Sequence, residues 1–197
     1  MIIPDGYSDV PSGKTVSVVT HLEMFERPPA RAERSEASWA LRKVDAPDPG
    51  WYLALFRRIG EDWLWFSRLQ LSDEELRGVL GSPLHETYVF EAQGQGEGLV
   101  ELDFGVEGEC DVSFFGLTPA LVGCGAGRWM MNRALELAWS RPIRRLSLHT
   151  CTLDHPGALG FYMRSGFVPY RRQVEVADDP RATGLLPRTA APWVPVL

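Results

Sequence analysis

The feature that most constrains this chain is a run of glycines between a predicted strand and a predicted helix. Gly123, Gly125 and Gly127 alternate within the segment FFGLTPALVGCGAGR. Glycine lets the backbone adopt positive φ and approach a ligand closely. Because the first N–H groups of a helix point outward at the positive end of its dipole, such a loop is suited to cradle a pyrophosphate. A glycine-rich turn without a ligand is the alternative interpretation.

Two other phosphate-binding motifs do not fit the chain. A dinucleotide fingerprint needs the spacing G-x-G-x-x-G, and here the third glycine position holds Arg128 or Met130. A Walker loop needs a glycine five residues before its Gly-Lys-Thr. The Gly-Lys-Thr at residues 13–15 has Ser8 in that place, and no predicted strand precedes it.

Hydrophobic periodicity predicts strands and helices along the rest of the chain. Strands are predicted over residues 15–23, 38–44, 86–92, 98–104, 109–117, 143–150 and 167–176. Helices are predicted from Asp48-Pro49 to Gly60, from Ser72 to Gly81, and over residues 127–140 and 156–165. The turns within 86–117 are short enough for an antiparallel meander, and a strand–helix–strand unit follows. The pattern indicates an α/β or α+β mixed sheet with helices on both faces.

A polar segment and three tryptophans stand out in the rest of the chain. Residues 26–37 are polar and contain prolines, so we expect a loop or a mobile arm there. Trp51, Trp63 and Trp65 are expected in the core, or in the apolar wall of a ligand pocket.

Composition excludes several classes of partner. The net charge of −6 disfavours a protein whose main partner is the nucleic-acid backbone. The longest uncharged run, residues 112–127, is too short and too rich in glycine to span a membrane. Three cysteines without a CxxC pair, and an N-terminus without a signal-peptide pattern, favour a cytoplasmic protein. The four histidines have no metal-ligand spacing, so we expect no metal.

The strand, the proline after it, the glycine loop and the helix together resemble motif A of the GNAT superfamily of N-acetyltransferases. In that family the loop amides bind the pyrophosphate of acetyl-CoA, and the end of the preceding strand holds the pantetheine arm through its backbone. The resemblance implies cofactor-binding roles for Phe115, Gly116, Leu117, Gly123, Cys124, Gly125, Ala126, Gly127 and Arg128. The family often has Arg or Gln where this chain has Val122, so phosphate binding would depend more on the amides and on Arg128.

A second segment, HPGALGFYMRSGF from His155 to Phe167, resembles motif B of the same family, usually NxxAxxLYxxxGF. His155 replaces the usual Asn, and we expect it beside the CoA arm, or as an N-cap or loop histidine. Acetyl transfer to an amine expels a thiolate, which a tyrosine hydroxyl can protonate. We therefore expect Tyr162 to be the general acid. The alternative is a tyrosine that packs on the core with its hydroxyl at the surface.

The general base is less clear, because the attacking amine can lose its proton to any of several groups. The acidic candidates on the central strands are Glu101, Asp103, Glu109 and Asp111. Period-two alternation predicts that Asp111, Ser113 and Phe115 share one face of their strand. We place Asp111 first and His149, on the strand before motif B, second. A solvated acid at a strand edge is the alternative for Asp111.

The resemblance implies one GNAT-like domain over residues 1–197, with an antiparallel meander and a parallel β-α-β unit whose central strands splay. Residues 15–98 would hold the N-terminal strand, the acceptor-side helices and the first meander strand. Residues 99–176 would form the acetyl-CoA-binding core, and residues 177–197 an irregular tail.

The implied function is transfer of an acetyl group from acetyl-CoA to a primary amine, by direct attack of the amine. The acceptor would be a small molecule or a peptide. A longer acyl donor, or a non-catalytic acyl-CoA-binding sensor or partner module of the same fold, are the alternatives. We expect neither a nucleic acid nor a membrane as partner, and a homodimer stays open.

Overall fold

A computed structural model describes residues 5–196, whose strands form one mixed sheet of seven members. The strands are β1 (Lys14–Met24), β2 (Trp39–Val44), β3 (His85–Ala92), β4 (Gln95–Asp103), β5 (Glu109–Leu117), β6 (Arg145–Cys151) and β7 (Val168–Asp178). The helices are α1 (Pro49–Gly60), α2 (Asp73–Leu80), α3 (Ala126–Ala138) and α4 (Ala158–Arg164). The sheet order is β2-β3-β4-β5-β6-β1-β7. The pair β5 and β6 is parallel, and every other neighbouring pair of the described sheet is antiparallel.

Local sequence signals account for the ends of the first two helices. The Asp48 side chain caps α1 by accepting a hydrogen bond from the Trp51 amide at 3.0 Å, and Pro49 opens the helix. Ser72 and Glu75 cap α2 reciprocally, since each side chain accepts a hydrogen bond from the other residue's backbone N–H. These caps confirm the predicted starts of both helices.

Helices cover both faces of the sheet, as the periodicity predicts. On one side, called the α3 face, α3 and α4 pack on buried residues such as Val100 and Leu146. On the other side, called the α1 face, α1 and α2 pack on Val89 and Leu99. Side chains of opposite faces alternate along each strand, so the two cores share the strands between them.

The first strand lies far from the meander. β1 runs between β6 and β7 and pairs with both, while β2 supplies the edge strand beside β3. Residues 25–38, called the arm, carry the chain from β1 to β2 without a helix or strand. The sequence predicts both strands but not their positions, because a strand's partners are set by contacts distant in sequence.

A cleft opens where β5 and β6 separate. Their pairing covers three residue pairs and ends at Asp111 and Ser147. In β5 the register against β4 shifts between Val112 and Phe114, which leaves Ser113 as the extra residue of a β-bulge. Beyond these points the edges of β5 and β6 that face each other have no strand partner. The splay expected for the central strands is therefore present.

The tail after Asp178 packs as irregular chain on the segment that follows α1. Buried Leu186, Ala190 and Ala191 cluster there with Leu64. Arg181 anchors the tail through its ion pair with Asp179, at 2.7 Å, and through bonds to three backbone carbonyls. None of the described helices has the length and apolar character that a membrane crossing requires.

Candidate active site

The cleft between β5 and β6 has a volume of about 520 Å³ and passes through the sheet from one face to the other. Phe115, Leu117 and Tyr162 line it on the α3 face. Asp111 and His149 line it on the α1 face. The structure thus brings together the strand-end residues, the proposed acid and both leading candidates for the base.

The β-bulge changes which residues of β5 share a face. Asp111 contacts Ser113 and Ser147 on the α1 face. Phe115 instead stacks on Phe161, with ring centroids 5.8 Å apart, on the α3 face. The prediction that Phe115 and Asp111 share a face is therefore wrong, because an inserted residue reverses the alternation beyond it.

The glycine loop has the backbone conformation expected of an anion cradle. Gly123 and Gly125 have φ of +86° and +99°, a region that other residues rarely adopt. Gly125 is the N-cap of α3 and has no side chain to occupy the helix's first N–H groups. The Arg128 N–H donates to the Gly125 carbonyl at 3.1 Å, while the N–H groups of Ala126 and Gly127 have no acceptor among the described residues, so the loop fits a phosphate ligand.

The remaining loop residues have mixed surroundings. Cys124 donates from its thiol to the Leu121 carbonyl at 3.1 Å and packs against the core, and Ala126 is fully buried. Val122, which stands where the family often has a basic residue, is half-exposed and lines the cleft. The Arg128 guanidinium lies over the Phe161 ring and donates to the Ser165 hydroxyl at 3.1 Å.

Tyr162 is held by aromatic rings. Its ring lies within 6.3 Å, centroid to centroid, of the rings of Phe115, Phe161 and Phe167. The residue is 9% exposed and lines the cleft. Burial, together with the negative charge of Asp154, raises the pKa of Tyr162 above its ordinary value. Its hydroxyl is therefore protonated at neutral pH, as a proton donor must be.

The family model for the acetyltransferase (GNAT) family matches residues 54–167. The chain belongs to the GNAT family. The match contains the glycine loop, Tyr162 and both splayed strands, and it leaves β1 and the arm outside.

Solved structures of similar fold agree with this assignment. A GCN5-related N-acetyltransferase from Sphaerobacter thermophilus superposes with a TM-score of 0.59 and 15% identity, over 84% of this chain and 53% of that one. A tandem GNAT protein from the clavulanic acid biosynthesis pathway gives 0.53 and 16%, over 87% and 55%. An aminoglycoside acetyltransferase from an uncultured soil metagenomic sample, in complex with sisomicin, gives 0.51 and 12%, over 65% and 87%.

This GNAT chain spans only about half the length of the first two of these structures. Identities of this size show the shared fold alone. A search of curated protein sequences finds no match.

Asp111 occupies the last paired position before the strands of the GNAT cleft diverge. Its two carboxylate oxygens accept hydrogen bonds from the hydroxyls of Ser147, at 2.9 Å, and Ser113, at 3.2 Å. The carboxylate therefore has a fixed orientation at the cleft wall. His149 is exposed on the neighbouring strand, and its ring centroid lies 5.7 Å from that of His21.

The other acidic candidates differ in accessibility. Glu101 is fully buried, where it accepts hydrogen bonds from the Tyr52 hydroxyl and from Arg68, at 2.8 Å for the latter. Burial alone would raise the pKa of Glu101, but the contacts with His85 and Arg68 outweigh it and lower the pKa. Glu101 thus serves as a structural counterion.

Glu109 and Asp103 also differ in how accessible their carboxylates are. Glu109 is paired with Arg145 at 2.8 Å. Asp103 lines the cleft with a side chain that is half-exposed. Of these two, Asp103 alone lies where an acceptor could reach it.

His155 forms the turn that leads into α4. Its Nδ1 accepts a hydrogen bond from the Gly157 amide at 3.0 Å. The ring also meets Trp63 edge-on, with centroids 5.2 Å apart, and the residue lines the cleft. This geometry agrees with the loop-histidine alternative, and a contact of His155 with the CoA arm stays a prediction.

Trp65 has a role that its sequence neighbourhood does not reveal. It follows α1 and packs on the backbone of two glycines, since a Cβ at Gly60 or Gly116 would approach its ring to 2.5 and 2.8 Å. Its indole N–H donates to Asp154 at 3.1 Å, across the opening of the cleft. The two glycines that face one tryptophan can be recognised only once the fold is known.

Among the described residues no cluster of His, Cys, Asp and Glu is arranged to hold a metal ion.

Proposed function

We propose that the chain is an acetyl-CoA-dependent N-acetyltransferase that acts on a cationic primary amine. The observation that carries the proposal is the meeting of three parts at one cleft. These are the glycine loop at the start of α3, the unpaired edges of β5 and β6, and the protonated Tyr162.

The donor would bind on the α3 face. The amides of residues 123–128, together with the Arg128 guanidinium, would hold its pyrophosphate. The unpaired backbone groups of residues 115–117 would hold its extended arm as a neighbouring strand does. When bound, acetyl-CoA supplies a thioester whose carbonyl carbon accepts the amine nitrogen and whose sulfur leaves.

Two side chains on opposite faces would move the protons. The reacting ammonium first loses one proton to solvent, and Asp111, oriented by Ser113 and Ser147, takes a second proton from the neutral amine as it attacks on the α1 face. Tyr162 gives its phenolic proton to the departing sulfur on the α3 face. The N–C bond forms, the C–S bond breaks, and one proton is accepted and one donated. His149 is the second candidate for the base.

The charge of the cleft supports a cationic acceptor. Four acidic residues line it, and the cation of Arg68 is already matched by buried Glu101. These acidic residues are Asp103, Asp111, Asp154 and Glu175. One protein of similar fold is an aminoglycoside acetyltransferase, and aminoglycosides are polycationic amines. We therefore infer a small molecule or peptide that carries more than one amine.

We also infer a reducing, cytoplasmic setting. The three cysteines, Cys110, Cys124 and Cys151, are all free thiols. A protein of a secreted compartment more often pairs its cysteines.

Two assays test the proposal. Acetyl-CoA should raise the melting temperature of the protein, and a thiol-release assay over mono-, di- and polyamines should then find turnover that rises with the charge of the amine. Stabilisation without turnover on any amine would favour the non-catalytic binding module. No stabilisation by any acyl-CoA contradicts both.

A further inference from the structure

The arm lies in a fixed path across the α3 face. Its backbone carbonyl at Arg31 accepts a hydrogen bond from Asn132 of α3 at 2.8 Å. The Glu33 carboxylate is held by Asn132 and by Arg133. Pro28 packs on Gly166, where a Cβ would lie 3.2 Å from the proline ring. The arm is therefore tied to α3 and to the end of α4.

This path brings two arginines of the arm to the glycine loop. The Arg31 guanidinium donates to the backbone carbonyl of Arg164, the last residue of α4. Arg34 passes Gly125 so closely that a Cβ there would lie 3.4 Å from its own Cβ. Together with Arg128 of α3 and Arg164 of α4, they place positive charge from three segments of the chain near this loop.

Most of the charge beside the loop is not balanced by acids. Arg34 pairs with Glu36 at 3.0 Å, and Glu33 is taken by Arg133. Within residues 5–196, Arg31, Arg128 and Arg164 form no salt bridge. Burial, followed by the charges of Arg31 and Arg164, lowers the pKa of Arg128. Like charges gathered without a counterion repel each other, so this arrangement favours the binding of an anion.

We propose that the arm completes the phosphate site, with Arg31 acting beside Arg128 and Arg164 on the phosphate groups of the nucleotide end of acetyl-CoA. Arg31 supplies the cationic contact that Val122 cannot. The arm follows β1, and both lie outside the matched family region. The inference rests on the proposed function.

The test is calorimetric titration of the full chain with acetyl-CoA at low and at high salt. Arg31→Gln should weaken binding about tenfold at low salt, which corresponds to about 1.4 kcal/mol and is close to what the loss of one charge-assisted hydrogen bond costs. Added salt should weaken binding to the wild-type protein more than to the variant, because salt screens the charge of Arg31, which the variant lacks. Arg31→Lys, which keeps the charge, should lose less. Arg27→Gln, an exposed arginine of the same arm, is the matched control and should stay within about twofold of the wild type.

Acetyl-dephospho-CoA locates the contact. A loss confined to acetyl-CoA assigns Arg31 to the 3′-phosphate, and an equal loss with both ligands assigns it to the pyrophosphate; either supports the inference. If Arg31→Gln matches the wild type in affinity and salt dependence, the inference is overturned and the proposed function stands. If the wild-type protein does not bind acetyl-CoA, both fall.

Discussion

The two halves of the cleft are built in different ways. On the α3 face the proposed donor half is built mainly from backbone, with a few side chains such as Tyr162 and Arg128 beside it. This backbone comprises glycines with positive φ, the first turn of α3 and the open edge of β5. On the α1 face the proposed acceptor half consists of side chains such as Asp103, Asp111 and Trp65. A backbone site depends on a short local pattern, whereas a side-chain site depends on which distant residues the fold brings together. The first can be predicted from sequence as a unit, whereas for the second the sequence offers candidates such as Asp111 and His149 but does not show which of them meet.

The largest expected effect comes from removing the proposed acid. Tyr162→Phe should lower kcat about 10³-fold, within the range for general acid catalysis, and leave the Kd for acetyl-CoA nearly unchanged. Single-turnover thiol release and calorimetry measure the two quantities separately. A variant that loses binding instead would show that Tyr162 belongs to the structure of the donor half rather than to its chemistry.

A smaller loss is expected on the opposite face. Asp111→Asn should lower kcat about 10²-fold without changing the Kd for acetyl-CoA, because Asn keeps the size of the side chain but accepts no proton. The pH dependence of kcat/KM for the amine is the informative measurement. If His149→Gln changes that profile and Asp111→Asn does not, the order of the two candidates is reversed.

The Tyr162 hydroxyl also has a testable pH dependence. Since burial and Asp154 raise its pKa, the phenol stays protonated at pH values where an exposed tyrosine begins to ionise. We therefore expect that kcat of the wild-type protein does not fall through ionisation of Tyr162 at any pH up to about 10. An alkaline loss below that pH which disappears in Tyr162→Phe would contradict the assignment.

A substitution in the glycine loop tests the backbone part of the donor half. Gly125→Ala should destabilise the fold by about 1–3 kcal/mol, because alanine at φ of +99° is strained, and it should weaken acetyl-CoA binding. Gly78→Ala, on the exposed side of α2 with open space around it, is the control and should stabilise the fold by about 0.5–1 kcal/mol. Urea unfolding gives both values, and equal effects at the two sites would contradict the account of the loop.

The smallest effect is expected at the acidic wall of the acceptor half. Asp103→Asn should raise the KM for a polyamine about threefold and leave that for acetyl-CoA unchanged, since a half-exposed charge interacts weakly. Glu107→Gln, an exposed change outside the cleft lining, is the control. A KM that is the same in both variants would remove the support for a cationic acceptor.

Much of this fold follows from local sequence. The capped starts of α1 and α2 lie where Asp48 and Ser72 predict them, and the observed strands match the predicted ones to within a few residues. The position of β1 between β6 and β7 does not follow, because its alternating pattern suits any internal place in a sheet. Nor does the bulge at Ser113 follow, since one inserted residue leaves no mark in composition.

The site divides in the same way. Gly123, Gly125 and Tyr162 are predicted because their spacing is local and resembles a family pattern. Trp65 over Gly116 and the arm over α3 join segments that are distant in sequence, so only the fold reveals them.

A crystal structure of the protein with bound CoA tests the central claim most directly. The account predicts the pyrophosphate against the amides of residues 123–128, the extended arm along the open edge of β5, and the sulfur directed at the Tyr162 hydroxyl. CoA bound away from the glycine loop, or with its sulfur turned away from Tyr162, would contradict it.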